Sequence, residues 1–176
     1  DNLPSNGKVL RGLLIEFAKL RDAELADWIK DRVTCPSSMV DRIVPATTEK
    51  DRQNVQKQLG LEDQGVVVTE GFSQWVLEDN FCAGRPAWED VGVTMVDDVT
   101  PFEHMKLRML NGTHSTLAYL GFMAGHEFVS DAANDFDFQQ LLLGMWQEEI
   151  IPTLSMPSGI DLQSYAHDLM ARYQNP

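Results

Sequence analysis

The strongest constraint on this chain is a change of pattern near residue 98. Before it, short β-branched runs alternate with helical stretches; after it, strand signals nearly vanish and apolar residues recur at helical spacing. Such a break predicts the tail of an α/β unit followed by a mainly α-helical one, predominantly helical overall. With 176 residues there is room for one substantial core or parts of two domains, and the expected division is 1–98 and 99–176.

In the first part, Leu10, Leu13, Leu14, Phe17 and Leu20 repeat at three and four, and Leu25, Ile29 and Val33 continue the series. They predict a helix in two pieces over 6–33, one face of each packed inward, with Asn6-Gly7 at the start because Asn accepts from orphan helix amides. Residues 34–47, holding Pro36 and Pro45 and no helical period, predict a loop or short strand. Thr48–Leu59 reads as a polar surface helix closed by Gly60. Val66–Val68 is one strand candidate and Val91, Val93, Met95 and Val96 form another, while Gln74–Asp79 reads as irregular. In the second part, Thr100 and Glu103 have capping-box spacing with Pro101 at the first helical position, predicting a helix to about Gly125. Phe136–Leu154 and Asp161–Tyr173 predict two more helices.

Charge and cysteine usage exclude several classes of function. Twenty-seven acidic against 14 basic residues give a net charge of −13, a field that repels phosphate backbones and anionic lipid, so neither nucleic acid nor membrane is an expected partner. The same acidity requires any anionic substrate to meet a local concentration of basic groups. Cys35 and Cys82 lack the spacing of a zinc or redox pair and are too few for a disulfide framework, which points to free thiols in a reducing cytoplasm. No apolar run reaches the roughly 18 residues a membrane span needs, and no signal-peptide pattern opens the chain. A start without Met and a stop straight after a helical pattern suggest a fragment.

Chemistry concentrates on the helix from Thr100. Taking Lys106 as zero and about 100° per residue, Glu103 falls near 60°, His114 near 80° and Asn111 near 140°, so four polar side chains share one flank of an otherwise apolar helix. Lysine can act as general base for a secondary alcohol, asparagine can donate to the oxygen where charge develops, and histidine can hold a neighbouring hydroxyl. Spacing alone favours a purely structural or surface role over this one. No metal site is expected, because His104 and His114 are ten apart with no companion ligands. A second candidate is Ser37–Ile43: Asp41 either accepts from substrate hydroxyls or, with Arg42, simply fixes a turn. No Gly-x-Gly-x-x-Gly occurs, so a dinucleotide phosphate cradle is not among these residues. Trp75, Trp88, Phe72 and Phe81 read as core, and His126 and His167 as core or surface.

Four phrases occur in order: Asp1-Asn2-Leu3-Pro4-x-Asn6-Gly7, Cys35-Pro36-x-Ser38-Met39-Val40-Asp41-Arg42-Ile43, Gln74-Trp75-Val76-Leu77-Glu78-Asp79, and Lys106 through Ser115. Together they resemble the mannitol dehydrogenase/fructuronate reductase family of polyol-specific long-chain dehydrogenases, over essentially the whole chain. The stretches MVDRIVPAT, LEDNF, GRPAW, PFEHMKLRMLNGTHS and PTLSMPSGIDL look closest to its fructuronate reductase branch. One departure is Glu70-Gly71-Phe72, where the family usually has proline between Glu and Phe.

The resemblance implies a larger enzyme with a Rossmann-type cofactor domain and a helical substrate domain of the 6-phosphogluconate dehydrogenase C-terminal type. It implies NAD as cofactor, with NADP the alternative, and a small-molecule sugar acid or polyol as substrate. By motif, Lys106 would be the general base, Asn2 and Asn111 the oxyanion donors, and His114 a substrate-positioning residue. Asp41 would line the pocket, Glu103 would assist proton movement, and Met39 and Val40 would meet the cofactor. The implied reaction is metal-independent hydride transfer between NAD(H) and a keto-sugar acid of the D-fructuronate/D-mannonate type. Mannitol 2-dehydrogenase activity is the alternative, and an idle helical binding module is the alternative of another class. The 176 residues by themselves are expected to be inactive.

Overall fold

The computed structural model describes residues 2–175, and the chain divides after Asp97 into two compact units. The class is the one the sequence predicts, a small α/β unit followed by helices.

The first unit begins with helices α1 (Asn6–Lys19) and α2 (Ala23–Arg32), which pack on each other. The Asp22 carboxylate caps α2 by accepting from the amides of Glu24 and Leu25. Asn6, expected to cap α1, does not. Ser5 takes the cap position with a left-handed φ of 50°. The Asn6 amide instead donates to the Ser38 carbonyl at 2.8 Å and accepts from the Ser38 N–H at 2.9 Å. Next to it, Gly7 lies so close to the following loop that a Cβ there would sit 2.2 Å from the Cys35 carbonyl oxygen.

The leucine face of α1 is not packed inward, contrary to the sequence expectation. Leu10, Leu13, Leu14, Phe17 and Leu20 are exposed, Leu20 to 83%. The buried residues of α1 are Gly7 and Ala18, roughly a quarter turn from the leucine stripe. The small residues make the close approach, and the stripe stays largely exposed among the described residues.

Strands β1 (Ser38–Asp41), β2 (Gln74–Glu78) and β3 (Thr94–Val96) form a mixed sheet in the order β1-β2-β3. β1 is antiparallel to β2, with Asp41 opposite Gln74 and Met39 opposite Val76, and β2 is parallel to β3. Here the sequence reading needs three corrections. Gln74–Glu78, read as irregular, is the central strand, with Val76 and Leu77 buried. Val66–Val68 forms no strand: the Val66 carbonyl takes the Thr47 hydroxyl at 2.9 Å rather than a ladder partner. The later candidate is shortened, because Trp88–Val91 makes a 3₁₀ turn before β3. Between β1 and β2, α3 (Glu49–Leu59) starts on a full capping box of Thr48 and Asp51 and ends at Gly60, φ 73°.

The turn after β2 is held by Arg85, which forks onto Asp79 at 2.7 Å and reaches Glu89 at 2.6 Å. Its hydrogen bonds hold both carboxyls below the usual range, and they in turn push the guanidinium up. Trp75, Trp88 and Phe81 cluster nearby, with ring centroids 6.1 and 5.3 Å apart. Trp75 is nonetheless exposed, so the core expectation fails for it.

In the second unit, α4 (Thr100–Met105), a π-helical segment (Lys106–Gly112) and α5 (Thr113–Ala124) follow without a break and stop at Gly125. Thr100 is not the cap. Val99 holds that position and the Asp98 carboxylate accepts the Thr100 amide at 2.9 Å, one residue earlier than the spacing suggested. Then come α6 (Val129–Asn134), α7 (Phe136–Gly144), a second π segment (Met145–Ile150) and a 3₁₀ turn (Ile151–Thr153). The last helix is α8 (Leu162–Gln174), capped by Asp161. The helix expected over 136–154 thus changes type twice. Phe102, Met105, Met109, Leu117, Leu142, Trp146 and Leu169 fill the core of this unit.

Candidate active site

In the first unit, strand alternation turns Met39 and Asp41 inward and leaves Val40 exposed. Asp41 is 1% exposed at the end of β1. Opposite it, the Gln74 side-chain oxygen is buried with no hydrogen-bond partner among the described residues. Arg42 serves the loop: its Nε and Nη2 both donate to the Glu70 carbonyl, at 3.2 and 3.1 Å, and the Ile43 amide donates to the Glu70 carboxylate at 2.5 Å. For Arg42 the turn-fixing alternative holds. Asn2 is exposed, four residues ahead of the α1 start. Asp1, the first residue of the opening phrase, lies outside the described residues.

In the second unit, Glu103, Lys106 and Asn111 are half-buried and His114 is exposed on the run from α4 to α5. The π segment corrects the flank drawn at about 100° per residue. Hydrogen bonds in a π-helix run from i to i+5 and the turn is wider, so Lys106 and Asn111, five apart, lie closer to one face than the about 140° of a straight α-helix. Met105, Met109, Thr113, Leu117 and Gly121, spaced by four, are buried along the π segment and α5 alike.

The sequence reading missed three residues around the segment. Thr113 Oγ1 donates to the Met109 carbonyl at 2.5 Å, and Trp146 Nε1 donates to the same oxygen at 3.0 Å. The Tyr173 hydroxyl donates to the Leu110 carbonyl at 2.6 Å, and its ring centroid lies 6.1 Å from that of His114. All three side chains are buried. A buried tyrosine or tryptophan announces in sequence that its polar tip needs a partner, but not which one. Among the described residues no three His, Cys, Asp or Glu converge as a metal would require. No helix there is long and apolar enough to cross a membrane.

Comparison with known proteins assigns each unit. The family model of the mannitol dehydrogenase Rossmann domain matches residues 1–90, and that of the mannitol dehydrogenase C-terminal domain matches residues 98–176. The D-mannonate oxidoreductase of Escherichia coli (strain K12) is 48% identical over 176 residues, covering 100% of this chain and 36% of that one. The solved structure of a D-sorbitol dehydrogenase in substrate-free form matches with a TM-score of 0.92 at 43% identity, over 99% of this chain and 36% of that one. The Pseudomonas fluorescens mannitol 2-dehydrogenase ternary complex with NAD and D-mannitol matches with a TM-score of 0.84 at 48% identity, with the same coverage of 99% and 36%. The chain thus spans 36% of the length of these relatives.

Proposed function

This chain belongs to the mannitol dehydrogenase family, and from that premise we propose that it is part of an NAD-dependent oxidoreductase acting on a keto-sugar acid or ketose of the D-fructuronate/D-mannonate type. The observation that carries the reading is the π segment, whose wider turn brings Lys106 and Asn111 closer to one face beside a buried hydrogen-bond network. In this reading residues 1–98 close a Rossmann-type cofactor domain and residues 99–176 open the helical substrate domain. The enzyme works in the cytoplasm.

The described residues suit one end of the cofactor. They contain no glycine-rich phosphate cradle, but the Gln74 oxygen beside Asp41 is a buried acceptor without a donor, which suits the amide N–H of a nicotinamide carboxamide. Of the two cofactor candidates on β1, Val40 is exposed and open to such a contact, whereas Met39 faces the buried side. When bound, NAD(H) supplies or accepts the hydride.

The rest is the work of side chains. In the reductive direction the Lys106 ammonium gives a proton to the carbonyl oxygen as that oxygen gains negative charge; in the oxidative direction the neutral amine takes the proton back. The Asn111 amide N–H donates to that oxygen, where stabilisation of developing charge is most effective, and the family resemblance gives Asn2 the same type of role. His114 holds a neighbouring hydroxyl and so aims the reacting carbon. Glu103, one helical turn before Lys106, passes the proton onward, and Asp41 lines the pocket. Ammonium and amides together do the work of a Lewis acid, so the reaction needs no metal.

The test is an NADH-oxidation assay of a full-length protein carrying this chain, with fructuronate, fructose and tagaturonate in parallel. Turnover of fructuronate alone is expected. Lys106→Ala should abolish that turnover while NADH still binds, as read by fluorescence titration. Turnover near the parent rate in Lys106→Ala would remove the lysine from its role, and preference for fructose would place the enzyme with the mannitol 2-dehydrogenases.

A further inference from the structure

The last four carbonyls of the first π segment share a property. Met109 accepts from Thr113 Oγ1 and Trp146 Nε1, Leu110 from the Tyr173 hydroxyl, Asn111 from Ser115 Oγ at 3.0 Å, and Gly112 from Thr116 Oγ1 at 3.1 Å. Each of these four carbonyls receives a side-chain donor, and Leu110 accepts the Thr113 backbone N–H as well. Ser115 and Thr116 bond back one turn within their own helix, as hydroxyls commonly do. Trp146 and Tyr173 differ in kind, because they reach in from 37 and 63 residues away and are buried.

Tyr173 is the junction. Its hydroxyl donates to the Leu110 carbonyl and lies 3.0 Å from Thr113 Oγ1, and its ring borders His114. Two hydroxyl protons, those of Thr113 and Tyr173, serve three contacts: the Met109 carbonyl, the Leu110 carbonyl and each other. An α-helical turn would move these carbonyls away from fixed donors and strand the donors in the core, a costly outcome for buried polar groups. The donors therefore select the π form.

We propose that Tyr173, with Thr113 and Trp146, is a positioning residue for the active site: it holds the π segment that brings Lys106 and Asn111 toward one face and sets the His114 ring against the same support. This rests on the lysine-base reading above. None of the three touches substrate or cofactor; each acts through the register of the helix. Removing the Tyr173 hydroxyl releases Leu110 and lets the turn relax toward α, which rotates Asn111 and His114 relative to Lys106. Misplacement on the scale of 1 Å typically costs about a hundredfold in rate.

The experiment compares Tyr173→Phe, Thr113→Val and Thr113→Ser with Lys106→Ala in a full-length protein carrying this chain, with rates expressed per correctly folded NADH-binding site. Tyr173→Phe and Thr113→Val are expected to lower kcat by roughly ten- to a hundredfold, with KM and the NADH dissociation constant within about twofold, and Thr113→Ser to restore most of the rate. A loss seen only as fewer folded sites, with parental kcat in those that remain, would overturn the positioning role. So would parental kcat in both hydroxyl-deleted variants while Lys106→Ala is silent, an outcome that leaves the lysine reading intact. Parental turnover in Lys106→Ala overturns both. If Tyr173→Phe fails to fold, the Thr113→Val and Thr113→Ser pair decides alone.

Discussion

Two glycines of α1 should respond to the same substitution with opposite sign. Alanine at either position gains up to about 1 kcal/mol of helix propensity. At Gly12 nothing lies within 4 Å of the added methyl, so Gly12→Ala should stabilise by about 0.5–1 kcal/mol. At Gly7 the methyl would stand 2.2 Å from the Cys35 carbonyl oxygen, and 2.7 Å from both the Pro36 carbonyl carbon and the Ser37 nitrogen. Ordinary contact begins at 3.4 Å, so helix or loop must give by 3.4 − 2.2 = 1.2 Å. These neighbours are backbone and cannot swing aside. A movement of that size also breaks the two Asn6–Ser38 bonds and the 3.2 Å bond from the Gly7 amide to Ser37 Oγ. Overpacking costs about 1–3 kcal/mol and each lost bond about 0.5–1.5 kcal/mol. After subtracting the propensity gain, Gly7→Ala should destabilise by about 1.5–6.5 kcal/mol. Urea unfolding of this 176-residue chain followed by tryptophan fluorescence reads the effect, since Trp28, Trp75 and Trp88 lie in the first unit. Midpoints that move in the same direction for both variants would refute the close approach of α1 to the Cys35–Ser37 loop.

The Arg85 pair gives a pH signature. Because Asp79 and Glu89 are held below their ordinary values of 3.8 and 4.5, their contribution is complete above those values and is lost as pH falls through the lower folded-state values. The stability difference between the parent and Arg85→Met should therefore be constant near neutral pH and shrink below pH 3.8; a difference that grows on acidification in urea melts would refute it. Hydrogen bonds with Thr34 lower the Cys82 thiol, and Cys82 is exposed whereas Cys35 is half-buried. Peptide mapping after brief iodoacetamide treatment at neutral pH should find Cys82 labelled first, and Thr34→Val should slow that labelling. Leu142 has no exposed surface, so Leu142→Ala should cost about 2–5 kcal/mol, read as a lower urea midpoint of Trp146 fluorescence. An unchanged midpoint would mean that the site refills.

What was legible in the sequence was local. Asp161, and Thr48 with Asp51, start helices where the sequence placed them because a short polar side chain reaches an amide two or three residues on, and that reach does not depend on the rest of the fold. What was not legible depended on partners far along the chain. Gln74–Glu78 is a central strand because Ser38–Asp41 and Thr94–Val96 flank it, whereas the more β-prone Val66–Val68 finds no ladder. The stripe from Leu10 to Leu20 has the right period but, within these residues, stays largely exposed. At the candidate site, motif resemblance supplied Lys106, Asn111 and His114, but the angular picture built on them assumed one helix type throughout. The wider turn depends on Trp146 and Tyr173, whose polar tips meet carbonyls far back in the chain.

A π segment is in effect an α-helix carrying one surplus residue, and that makes this stretch sensitive to length as well as to composition. Deleting a single residue from Leu107–Leu110 would let the segment close as an ordinary α-helix, with α5 keeping its face toward the core, and the wider turn between Lys106 and Asn111 would be lost. Between Lys106 and His114 a change of one in the residue count therefore alters the site while sparing the core.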